Sequence, residues 1–161
     1  MYKIDNHDDA HENYRALHAA ICAHLADEPD IIANFANISA FIYHSLEQLN
    51  WAGFYIMKDG QLVLGPFIGK PACTRINLDS GVCGAAATQR RVIVVKDVHQ
   101  FPGHIACDGD TNSEIVLPIY RNGEVFGVLD IDSPIHDRFG ATDEEWLTKI
   151  AEEISIFLDK M

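Results

Sequence analysis

Residues 113–132, SEIVLPIYRNGEVFGVLDID, read as two strands around a tight turn. Asn122-Gly123 suits a two-residue type I′ turn, whose central residues both need positive φ. The flanks are rich in β-branched and aliphatic residues, as strands prefer. The same grammar appears upstream, where WAGFYIM from Trp51 and the later QLVLGPFI flank Asp59-Gly60. These hairpins, with a strand read at residues 91–95, predict an antiparallel sheet. Helical spacing flanks the strands on both sides. Tyr14, Leu17, Ile21 and Leu25 recur at intervals of three and four, the stripe of an amphipathic helix. Pro29 breaks the chain and opens a second helix, with Ile31, Phe35, Ile38, Ile42, Leu46 and Leu49 as its apolar stripe. Residues 81–88 allow a short helix. Thr142 and Glu145 form a capping box for the closing helix, lined by Leu147, Ile150, Ile154 and Phe157. The expectation is an α+β fold with the helices from both ends packed on one face of the sheet.

The chain has 161 residues, which fits a single domain over residues 1–161. No run of 18 apolar residues occurs, so no transmembrane helix is expected. The acidic start, MYKIDNHDDAHENY, lacks the apolar stretch of a secretory signal. Twelve Lys and Arg against 24 Asp and Glu give a formal charge of −12. That balance disfavours nucleic acid and anionic membrane as partners. It suits a cationic or zwitterionic small molecule better. Cys22, Cys73, Cys83 and Cys107 in a chain with no export signal suggest a reducing, cytoplasmic setting.

The longest irregular stretch is residues 96–113, KDVHQFPGHIACDGDTNS. Loops of that length inside a compact domain are usually functional or disordered. It carries His99, His104, Cys107, Asp108 and Asp110, and its apolar pieces suggest that it folds back on the body. Cys107 reads either as a partly exposed reactive thiol or as a small hydrophobe plugging the loop. Zinc ligands usually come in close pairs, whereas ten residues separate Cys73 from Cys83 and 24 separate Cys83 from Cys107. No metal or cofactor is expected. His24 and His44 read as packing or surface residues. Phosphate-loop and serine-elbow motifs are absent.

Asp130 and Asp132 alternate along a strand and share a face. They read as functional acids or, for Asp132 above all, as a frayed strand end in water. Glu114 begins the partner strand. An ideal turn at Asn122-Gly123 pairs Ile115 with Asp130 and sends Glu114 to the other face; only a bulge, a longer turn or departure from the strand unites the three acids. Trp51, Gly53 and Tyr55 share a strand face, and the glycine between two aromatics suggests a concavity.

NWAGFYI, GPFIGKPACTRI, SGVCG, DVHQFPGHIACD, NSEIVLPI and GVLDIDSP together resemble the free methionine-(R)-sulfoxide reductase family, a single-domain branch of the GAF fold. The resemblance runs from about Tyr14 to the closing helix. It implies a ligand pocket under the long loop, on the sheet face away from the terminal helices. It further implies reduction of the free amino acid's R-sulfoxide with electrons from thioredoxin. By resemblance Cys107 is the catalytic cysteine, Cys73 the resolving one and Cys83 the third family cysteine. Trp51, Tyr55, Glu114, Asp130 and Asp132 match positions lining the substrate pocket. A homodimer is expected because GAF domains often pair. Asp79-Ser80-Gly81 stands where the family often has Gly-Arg-Gly, and GDTNSE follows Cys107.

The chemistry fits those residues. A sulfoxide sulfur is electrophilic and a thiolate is a soft nucleophile. Its oxygen leaves in the end as water and so needs a proton donor. A carboxylic acid crowded by other acids keeps its proton near neutral pH. The resulting sulfenic acid condenses with a second thiol to a disulfide, which thioredoxin reduces. Two other readings stay open at this level: a stand-alone GAF sensor that binds a small molecule, and an interaction module with inert cysteines.

Overall fold

The computed structural model describes residues 9–104 and 107–161. Two helices open the described chain, α1 (Ala10–Asp27) and α2 (Ile31–Ser45). Each begins on an aspartate cap. Asp9 accepts from the His11 and Glu12 amides, and Asp30 accepts from the Ala33 amide, satisfying N–H groups that the first turn leaves unpaired. Pro29 therefore precedes the cap of α2 and does not start the helix. The helix ends at Ser45, so Leu46 and Leu49 pack from beyond it.

Strands β1 (Trp51–Lys58) and β2 (Gln61–Gly69) form the first hairpin; β3 (Arg75–Asn77) is a short edge strand that sequence reading missed. Helix α3 (Gly81–Gln89) is followed by β4 (Ile93–Val95), shorter at its start than the pattern suggested. Strands β5 (Ser113–Arg121) and β6 (Glu124–Ser133) form the second hairpin, and α4 (Ala141–Asp159) closes the chain. The sheet order is β3-β2-β1-β6-β5-β4, with every pair antiparallel. Both tight turns place Asx-Gly at positive φ, Asp59 at 51° with Gly60 at 77° and Asn122 at 51° with Gly123 at 79°, as a type I′ turn demands. The start of α4 sits two residues earlier than expected, with Gly140 as its N-cap. Asp143 Oδ2 accepts from the Gly140 amide at 2.8 Å, while its Oδ1 accepts from the Tyr14 hydroxyl at 2.6 Å, which ties α4 to α1.

One sheet face carries the larger core. Leu17 and Ile21 of α1, Phe35 and Ile38 of α2, and Leu147 and Ile150 of α4 are all fully buried there. They press on Ala52 and Phe54 of β1 and on Ile115 and Leu117 of β5. The opposite face, presenting Trp51, Tyr55, Val116 and Val128, is covered by α3. This is the expected α+β arrangement, with the terminal helices on one side.

Candidate functional site

A bulge builds the site. From the turn the β5–β6 register runs Arg121 opposite Glu124 and Tyr120 opposite Val125, then jumps to Ile119 opposite Gly127. Phe126 is thus an extra residue on β6. The slip of one places Glu114 opposite Asp132 and Val116 opposite Asp130, where an ideal hairpin places Ile115 opposite Asp130. Phe126 swings to the helical side, edge-on to Phe35 at 6.1 Å. Gly127 then lies where an added Cβ runs into the Tyr55 carbonyl oxygen of β1, so the close approach requires glycine. On the other side of β6, Trp51 pairs with Asp132 and Gly53 with Asp130. Trp51, Asp132 and Glu114 consequently form one row across three strands.

Three carboxyls under a helix cannot all ionise. Glu114 is 7% exposed and Asp130 5% exposed. Asp132, at the strand end, is half-buried. Burial, reinforced by Asp132, pushes Glu114 up from an ordinary 4.5 to about 8. Burial and the neighbouring carboxyls also push Asp130 and Asp132 well above the usual carboxylate range. Among the described residues, no N–H donor reaches Oδ1 of Asp130 or Oδ1 of Asp132. The hydrogen bonds within this group run between carboxyls and so require retained protons. At neutral pH the cluster is a store of carboxylic acid protons.

Cys83 on α3 is buried against these acids. Burial and the nearby Asp130 push its thiol well above the ordinary range, the condition of an unreactive thiol. Cys83, Glu114 and Asp130 each bring a ligand atom within 4.8 Å of the others, so this corner is also where a cation could lodge. Cys73 and Cys107 are joined by a disulfide with Cα atoms 5.4 Å apart. Tyr55 fixes the Cys73 side, its hydroxyl donating to the Cys73 carbonyl oxygen at 2.8 Å. Of the eight residues singled out from sequence, all but Cys73 line one cavity, and Cys73 closes it through Cys107.

The expected concavity at Gly53 is filled. A Cβ on Gly53 meets the Phe67 Cα at 2.8 Å, and the Phe67 ring stacks on Trp51 at 5.2 Å. A bulge in β2 between the Gly53 and Tyr55 pairings drives Phe67 into that space. The aromatic wall is therefore Phe67, Trp51 and Tyr55 in a stack, with Trp51 and Tyr55 centroids 5.9 Å apart. The Trp51 indole donates to the Lys70 carbonyl oxygen at 3.2 Å.

The long loop is anchored on both flanks of Cys107. The Gly81 amide donates to Gly103 O at 3.1 Å, and the Asn112 amide donates to Ser133 O at 2.8 Å. Val98 is buried, so the loop does fold back on the body. Ile105 and Ala106 lie outside the described residues. Asn50 was missed. Its amide nitrogen donates to Asp108 Oδ2 and to Thr111 Oγ1, both at 3.0 Å, holding the residue after Cys107 against β1. The one hint was its place in the NWAGFYI stretch. His104 also borders the cavity, and burial together with His99 lowers its pKa, which favours the neutral ring.

Residues 33–159 match the family model described as GAF domain. The free methionine-R-sulfoxide reductase of Escherichia coli (strain K12) is 44% identical over 154 residues, covering 96% of this chain and 89% of that protein. The chain belongs to the free methionine-R-sulfoxide reductase family of GAF domains. The fold agrees with solved members. The free methionine-R-sulfoxide reductase of Neisseria meningitidis, in complex with its substrate, superposes with a TM-score of 0.94 at 37% identity, covering 98% and 96% of the two chains. The reduced Staphylococcus aureus enzyme superposes with a TM-score of 0.88 at 45% identity, covering 98% and 99%.

Proposed function

We propose that the protein reduces free methionine R-sulfoxide to methionine, with Cys107 as nucleophile, Cys73 as resolving thiol and thioredoxin as reductant. The observation that carries this reading is the Cys73–Cys107 disulfide at the mouth of a cavity bearing three proton-holding acids. The Cys107 thiolate attacks the sulfoxide sulfur while an acid of the Glu114–Asp130–Asp132 group donates a hydrogen bond, then its proton, to the oxygen. The oxygen atom passes to Cys107, giving a sulfenic acid and methionine, which is reduced by two electrons. The Cys73 thiol condenses with the sulfenic acid, releasing water and forming the disulfide. A dithiol of the thioredoxin class then exchanges with that bond and restores both thiols.

These acids could face either the ammonium or the sulfoxide oxygen of the substrate. Their retained protons suit the sulfoxide oxygen better, because a neutral acid donates to an oxygen and binds a cation weakly. Trp51, Tyr55 and Phe67 form the apolar wall for the S-methyl group. Cys83 lies deep beside the acids as a third thiol. In the disulfide form the cavity measures about 40 Å³, room for a water or two and far below the roughly 300 Å³ at which small-molecule pockets begin. Reduction therefore has to free the Cys107 segment before substrate enters. Free Cys22 and Cys83 thiols suit a reducing cytoplasm, and pairing into a homodimer follows the habit of GAF domains.

The test is a single-turnover assay on protein that has first been reduced and then freed of reductant. Wild type and Cys73→Ser are each expected to release about one methionine per chain, and Cys107→Ser none. Wild type should end in the disulfide and Cys73→Ser in a sulfenic acid trapped by a dimedone-type reagent. Full methionine yield from Cys107→Ser would remove Cys107 from the nucleophile's place.

A further inference from the structure

Among the described residues, one group of metal-ligating side chains lies outside the cavity: His18 and Cys22 of α1 with Glu153 of α4. His18 and Cys22 are one helical turn apart, at i and i+4, so they stand on the same face. Glu153 meets them from the packed neighbour. His18 Nε2 is 3.7 Å from Cys22 Sγ and 3.9 Å from Glu153 Oε1. All three donors lie within 4.8 Å of one another. A tetrahedral zinc ion with ordinary bond lengths holds such donors about 3.3–3.6 Å apart. The group is thus within a few tenths of an ångström to about 1 Å of closing on an ion.

We propose that His18, Cys22 and Glu153 form a binding site for a first-row transition-metal ion of the Zn²⁺ class, bridging α1 to α4. The donor set decides the class. A thiolate and an imidazole exclude the hard ions calcium and magnesium, which take oxygen ligands. Three protein ligands leave the fourth position to water. The side chains of His18 and Glu153 are 26% and 39% exposed, so an ion can enter from solvent. Cys22 and Glu153 border a depression of about 100 Å³, which gives that fourth ligand room. Without an ion the arrangement is unfavourable, since burial and the Glu153 carboxylate both push the Cys22 thiol up. A divalent cation reverses the second effect. On binding, the Cys22 S–H proton leaves to solvent and the thiolate takes its place on the metal; no electron moves. Sequence spacing had been searched for cysteine pairs, and a His-x3-Cys pair completed by a distant glutamate escapes that search. The site lies on the helical face of the sheet, opposite the cavity.

Tag-free, full-length protein in its disulfide form, titrated with Co²⁺ and then with Zn²⁺ against a chromophoric chelator, provides the test. One ion per chain is expected, with Kd below about 1 μM, a thiolate-to-cobalt absorption band and a Tm that rises with Zn²⁺ concentration. Removing an outer-shell partner already costs 10–100-fold in metal affinity, so Cys22→Ser and Glu153→Gln are each expected to lose about 100-fold or more. Both variants should keep wild-type turnover of the sulfoxide. A thiolate band that survives Cys22→Ser and vanishes in Cys83→Ala would place the ion in the acid cluster and overturn the proposal. So would unchanged Zn²⁺ affinity in Glu153→Gln, or no binding at about 1 μM.

Discussion

The hydroxyl of Tyr55 has a use beyond the aromatic wall. By donating to the Cys73 carbonyl oxygen it positions the thiol proposed to resolve, and it does so without touching the sulfur chemistry. A single hydrogen bond of this kind contributes about 1 kcal/mol. Tyr55→Phe is therefore expected to keep the first methionine release at its wild-type rate and to slow disulfide formation several-fold, read by quenching single turnovers with a thiol-alkylating reagent. A loss confined to methionine release would instead give the Tyr55 hydroxyl contact with the substrate. At the acids, Glu114→Gln keeps the size of the side chain and removes its proton. Its kcat should fall by about 10²-fold or more, the scale of general acid catalysis, with KM little changed. A rise in KM at constant kcat would instead give the acids a part in binding the substrate's ammonium. These residues were legible because they sit inside distinctive short stretches such as GHIACD and NSEIVLPI. Asn50 was not read as a contact, since nothing in its spacing tells that it reaches Asp108 and Thr111, 58 and 61 positions away.

Hairpins and helix stripes were readable because turn chemistry and apolar period are local properties. Registers are not local. The type I′ turn at Asn122-Gly123 was correctly placed, yet turn geometry alone leaves Glu114 on the wrong face. What resolves the conflict is the crossing of β6 over β1, where Gly127 lets the strands approach and Phe126 finds Phe35. The filled space at Gly53 has the same origin: the β2 bulge belongs to the partner strand and leaves no trace in WAGFYIM. Deleting Phe126 tests the argument on the element as a whole. It restores the ideal register and turns residues 113–119 over, sending Glu114 toward the helices and Ile115 toward the cavity. We expect a variant that has lost activity and most of its stability, seen as a collapsed urea midpoint. Wild-type turnover in that variant would mean that the bulge is not what brings Glu114 to the site. Phe126→Leu, which keeps the bulge and loses only the ring contact, should retain activity with a smaller loss of stability, on the order of 1 kcal/mol.

The whole molecule carries a formal charge of −12, and its three acids on the cavity side answer to pH in the opposite direction from ordinary paired surface carboxylates. Glu114 titrates near 8 when folded, against an ordinary 4.5. Between those values the folded chain holds a proton that the unfolded chain has released. Stability falls with rising pH wherever the folded state binds more protons. The Glu114 contribution is therefore fully present below about 4.5 and is lost as pH climbs through 8. Other groups titrate too, so the informative quantity is a difference. Glutamine has nothing to ionise, which makes Glu114→Gln the reference. The stability of wild type minus that of Glu114→Gln, from urea denaturation of the disulfide form, is expected to drop steadily from pH 5 to pH 8. Each unit of pKa displacement corresponds to about 1.4 kcal/mol, so the drop should amount to roughly a few kcal/mol across that window. Asp130 and Asp132, also displaced upward, add to the fall in both proteins, and the part of the Asp130 displacement that Glu114 causes stays in the difference. A difference that stays flat from pH 5 to pH 8 would mean that Glu114 is already ionised in the folded protein, and the proton proposed for the sulfoxide oxygen would have to come from one of the two aspartates.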